Sequence, residues 1–108
     1  MLFRLAAAFA LLSACTGASS TGIEPISCPP TGTTLTYANF GDELIANKCT
    51  TSGCHDRQRP NLTTQLAIQQ NAANILDQAV YTDAMPRNTD MQLMEREKLG
   101  EWLACGAP

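Results

Sequence analysis

Cys49-Thr50-Thr51-Ser52-Gly53-Cys54-His55 is the stretch whose residue types can do chemistry together. Each thiol can add across a vinyl group to form a thioether, and an imidazole placed beside them can be held under an iron atom. Two cysteines followed directly by a histidine therefore read as a covalent haem attachment site, Cys49 and Cys54 taking the vinyls and His55 the iron. The usual interval between the cysteines is two residues, as in C-x-x-C-H. Here it is four, and Gly53 with the small Thr50, Thr51 and Ser52 suits a bulge. His55 is the only histidine of the chain. A plainer alternative is a local Cys49–Cys54 disulfide beside a surface histidine, which the separation also allows. Zinc would find only three ligands here, one short of a structural site, unless Cys28 or Cys105 were recruited.

A second donor lies further on. Met85 is followed by Pro86 in a polar stretch, Thr82 to Asn88. Proline fixes its own φ and stiffens the loop, which suits a thioether held at a set distance from iron. Met91 and Met94 fall where a last helix is expected, and core or surface packing accounts for them. Arg57, Arg59 and Arg87 read as solvated loop cations that can also pair with carboxylates of a bound group.

These residues need elements to place them. A first helix is expected from about Thr36 to Lys48, with Phe40, Leu44 and Ile45 at helical spacing. It delivers Cys49 at its end. Gly41 costs about 1 kcal/mol against alanine in a helix, a cost that close approach of another helix would explain. Thr63 or Thr64 can cap a second segment through Leu66 and Ile68, and Asn71 allows a break. Ala72, Ile75, Leu76, Ala79 and Val80 then form one apolar face. A last helix is expected from a capping box of Thr89 and Gln92 to about Ala104. Its stripe is Leu99, Trp102 and Leu103, extended by Leu93 and Met94. No strand pattern emerges. The fold class expected is all-α, with three to four helices.

The chain ahead of this domain has its own character. Met1-Leu2-Phe3-Arg4, an apolar run from Leu5 to Leu12, and Leu12-Ser13-Ala14-Cys15 have the parts of a secretory signal peptide. The last four resemble the lipobox of bacterial lipoproteins, which implies that residues 1–14 are removed and that Cys15 is acylated and tethers the chain to a membrane. Residues 15–27, rich in Gly, Ser and Thr, read as a flexible tether, and 28–108 as the domain. Of 7 Lys+Arg and 10 Asp+Glu, only Arg4 lies within residues 1–14, so the remainder carries a net charge of −4. With no basic patch, nucleic acid is not an expected partner. Export permits disulfides, and Cys28–Cys105 is the simplest pairing for the cysteines left over.

The order of first helix, cysteine–histidine stretch, Met-Pro loop and last helix resembles that of small class I-like cytochromes c. The residues carrying the resemblance are Cys49, Cys54, His55, Met85, Pro86 and Trp102, with Phe40 and Gly41 where the first and last helices would cross. It covers about residues 36–105. The tail Glu101 to Pro108 also looks like the end of small secreted cytochrome-like domains. The resemblance implies one covalent haem c with His55 and Met85 as axial ligands, walled by Leu44, Leu76, Leu99 and Trp102. It implies an electron carrier rather than an enzyme, a monomer that meets a redox partner protein on the periplasmic or outer face of a membrane. Two alternatives differ in class. One is a non-haem helical lipoprotein stapled by Cys28–Cys105 and Cys49–Cys54, with a structural or interaction role. The other leaves Met85 unbound and opens the iron to a diatomic gas or to peroxide.

Overall fold

The computed structural model describes residues 18–87 and 89–108. The signal peptide and the lipidated Cys15 expected from the sequence lie outside the described residues. Four α-helices occur in this part: α1 (Asp42–Lys48), α2 (Gln65–Gln70), α3 (Ala72–Ile75) and α4 (Leu93–Ala104). A π-helical turn, Tyr37–Gly41, leads into α1, and a second, Leu76–Val80, continues α3. Among the described residues there is no strand, only an isolated bridge between Ser20 and Thr82. The all-helical class expected from periodicity holds for this part. None of these helices is long and apolar enough to cross a membrane.

Local chemistry explains the helix starts. Thr36 Oγ1 accepts from the Asn39 N–H at 3.1 Å, and Asn39 Oδ1 accepts from the Thr36 N–H at 2.7 Å. This reciprocal box closes two orphan donors. Asp42 and Glu43 stand in the first turn of α1 and Lys48 in its last, each sign matched to the helix dipole. Thr64 caps α2 through the Ala67 N–H at 3.1 Å. Asn71 leaves helical geometry at φ −108° and ψ 14°, which separates α2 from α3. The start of α4 differs from the expected one. The cap is Gln92, not Thr89, and the Gln92 N–H donates to Glu95 Oε1 at 3.0 Å.

Trp102 organises the core. It is fully buried, with Phe40 edge-on at 6.0 Å and 75°. A Cβ at Gly41 would overlap the Trp102 ring, so the glycine is where the first and last helices cross. Ile45, Ile68, Val80, Leu99 and Leu103 fill the rest of this centre. The same crossing is tied by the chain end. Trp102 Nε1–H donates to Pro108 O at 3.1 Å, and the Tyr37 N–H donates to the same oxygen at 2.6 Å. Gln65 and Gln69 each donate to Ala107 O at 3.0 Å.

The expected stripe of α4 is only partly right. Leu99, Trp102 and Leu103 are buried, but Leu93 and Met94 are exposed at the helix start, where nothing covers them among the described residues; Leu66 is exposed on α2 too. The stretch expected to be a flexible tether is bonded to the domain from Ser19 onward. The Thr21 N–H donates to Tyr81 O at 3.0 Å, the Ile26 N–H to the Tyr81 hydroxyl at 2.9 Å, and the Asp83 N–H to Ser19 O at 3.0 Å. Ile26 packs over Gly100, where a Cβ would overlap it. Composition misleads here because strand-like backbone pairing needs no particular side chain. Cys28 and Cys105 form a disulfide that joins this segment to the end of α4.

Candidate functional site

A cleft of about 210 Å³, open to solvent on one side, is lined by Cys49, His55, Arg59, Pro60, Leu62, Asn74, Ile75, Gln78, Ala79 and Met85. Three separate stretches build it: the loop after α1, the run from α3 through its π-helical turn, and the loop before α4. Such π-turns recur at functional sites, and this one presents Gln78 and Ala79.

Of the four residues expected to hold a cofactor, Cys49, His55 and Met85 meet in this one cleft. Cys54 does not line it and is half-buried in the loop. The four intervening residues form a tight excursion. Thr51, Ser52 and Gly53 are exposed, the Cys54 N–H donates to Thr51 O at 2.9 Å, and Gly53 takes φ +84°, a conformation that favours glycine. The expected bulge is therefore present. Neither Cys49 nor Cys54 is in a disulfide. The second staple of the alternative reading is absent from this structure.

His55 is held on three sides. Its N–H donates to Cys49 O at 3.0 Å, its carbonyl accepts from the Leu62 N–H at 2.9 Å, and Nδ1 lies 2.8 Å from Pro60 O. A carbonyl only accepts, so Nδ1 carries the proton. In the neutral ring, Nε2 then keeps its lone pair for a metal. Met85 is held through its backbone: its N–H donates to Gln78 O at 2.8 Å, and its carbonyl accepts from Arg96 at 2.8 Å. No protein-family model, curated protein or solved structure matches the chain.

The walls differ from those expected. Leu44, Leu99 and Trp102 belong to the core, but none of them lines the cleft, and neither does Leu76; Leu62, Ile75 and Ala79 supply the apolar surface. The expected apolar face, Ala72, Ile75, Leu76, Ala79 and Val80, packs on the core; the residues that meet the cleft, Asn74, Ile75, Gln78 and Ala79, lie at its edge, at i, i+1, i+4 and i+5. Asn74 and Gln78 give no sequence signal for the cleft, because they border it from its solvent side, Asn74 exposed and Gln78 half-buried. Arg96 was also missed. It is buried, and its place three residues before Leu99 and seven before Leu103 was the signal that it shares their face.

Burial pushes the Cys49 thiol up to about 11 from an ordinary 9.0, and the neighbouring Cys54 adds to the rise. The sign for stability follows. Below pH 9 the thiol is neutral whether folded or unfolded, so the full contribution is present. Between pH 9 and 11 the unfolded chain ionises first, and stability falls as pH rises, by about 2–3 kcal/mol in all. Urea unfolding at pH 8 and pH 11 is expected to show this loss in the wild type and a smaller one in Cys49→Ala. Equal losses in the two proteins would remove Cys49 as the source.

Proposed function

We propose that this chain is an electron carrier that holds one haem c in the cleft and is tethered to a membrane by lipid on Cys15. The observation that carries the reading is the meeting of Cys49, His55 and Met85 from two distant loops on one apolar cleft.

The donor set fits the group. A neutral imidazole with Nε2 free and a thioether are a common axial pair for haem iron. Unbonded thiols at Cys49 and Cys54 are available for thioether links. The cleft, about 210 Å³ and open on one side, is smaller than the usual 300–1,000 Å³ of small-molecule sites, so it would take only part of a haem and leave the rest of the ring in solvent. The chemistry that the group supplies is one-electron exchange at iron. This chain's residues do the rest. His55 is oriented by Pro60 O, Leu62, Ile75 and Ala79 exclude water, and exposed Arg59 puts a positive charge at the mouth, where it can face a carboxylate. His55 and Met85 would be the residues that hold the iron, and the lipid tether would keep the carrier near its redox partner.

The deciding experiment is the visible spectrum of the mature protein made with a cytochrome maturation system. Sharp reduced α and β bands that survive acid–acetone extraction are expected. A colourless protein overturns the reading. The cleft geometry adds a second expectation: Cys49→Ser lowers covalent haem more than Cys54→Ser, because Cys49 lines the cleft and Cys54 does not. Equal loss from the two substitutions would mean that the loop rearranges to bring Cys54 in.

A further inference from the structure

Arg96 is the one buried charged residue among the described residues. Its Nε–H donates to Met91 O at 3.2 Å. Its Nη1 donates to Ala79 O at 2.7 Å and to Met85 O at 2.8 Å, with Thr82 O further off at 3.4 Å. These carbonyls come from the π-turn, the loop that follows it, and the residue just before the cap of α4. A buried charge is costly to leave unpartnered, and here backbone carbonyls serve as its partners.

The consequence falls on Met85. Its N–H is fixed to Gln78 and its C=O to Arg96. With both peptide groups anchored, the direction in which its side chain leaves the backbone is set, and Met85 is among the residues that line the cleft. We infer that Arg96 is a positioning residue that aims the Met85 thioether into the cleft, an inference that rests on the proposed haem reading and adds to it. The planar guanidinium reaches Met91 through one nitrogen and Ala79 and Met85 through another. A lysine has a single nitrogen and cannot span the same set.

The test compares wild type, Arg96→Lys and Arg96→Met by amide hydrogen exchange and, after haem maturation, by the sulfur-to-iron band in the red. In Arg96→Met the Met85 amide is expected to exchange faster by about tenfold or more, the size expected for loss of a hydrogen bond to a charged group. Amides of α1 are expected to keep their protection. Arg96→Lys is expected to fold and to recover only part of the protection. The band is expected to weaken in the same order, toward its level in Met85→Ala. Unchanged Met85 exchange in Arg96→Lys, a loss spread evenly over all helices, or a full band in both Arg96 variants would each overturn the inference. If Arg96→Met does not fold, Arg96→Lys alone decides. A wild-type chain that takes up no haem overturns the proposed function, and the exchange comparison still decides whether Arg96 holds the loop.

Discussion

Trp102→Ala is expected to lower folding stability by about 3–5 kcal/mol, the range for deleting a large buried aromatic. The ring is fully buried, meets Phe40 edge-on, covers Gly41, and donates from its indole to Pro108 O. Its removal opens a cavity at the crossing of the first and last helices and frees the chain end. Gly41 gives the matching test. In the wild type, Gly41→Ala drives a methyl group into the ring, and overpacking of this kind costs about 1–3 kcal/mol. In the Trp102→Ala background the same methyl group enters empty space, and the change is expected to gain up to about 1 kcal/mol from helix propensity. A double-mutant cycle by urea unfolding reads this reversal of sign directly. A Gly41→Ala effect of the same sign and size in both backgrounds would mean that the two residues are not coupled.

Loss of the Cys28–Cys105 bond is expected to cost roughly 4 kcal/mol in the chain-entropy model. The bond joins residues 77 apart, so it constrains nearly all of the unfolded domain. A domain this small buries a modest core, and a staple is a large part of its net stability. The folded state should change little, because Thr21, Ile26 and Tyr81 keep the N-terminal segment in place by hydrogen bonds. The check is urea unfolding of Cys28→Ser/Cys105→Ser against the wild type under oxidising conditions. A difference below about 1 kcal/mol would show that the unfolded chain is already compact there.

Helices were legible wherever a short-range rule decides them. Apolar spacing places the first helix from about Thr36, and a hydroxyl's reach to an N–H three residues on offers Thr63 or Thr64 as the cap of the second, of which the structure has Thr64. Asn71 marks the break between α2 and α3. The start of α4 was misread because Thr89 and Gln92 both fit a capping role, and local spacing does not choose between two adjacent boxes. The outward turn of Leu93 and Met94 was not legible either. An apolar residue at the right period is buried only if something lies opposite, and what lies opposite is a tertiary fact.

The candidate site divides along the same line. Sequence by itself determined the chemistry on offer: two thiols and an imidazole in one loop, a thioether before a proline in another, and two further cysteines near the ends of the domain. Side-chain type and nearest-neighbour spacing carry that much. Tertiary structure decided which of these groups share a cleft. It brought Cys49, His55 and Met85 together and left Cys54 off the wall. It set exposed Asn74 and half-buried Gln78 at the border of the cleft and placed a buried guanidinium behind the methionine loop. Those outcomes depend on packing between segments far apart in the chain, where the angle of one helix across another sets what each side chain can reach.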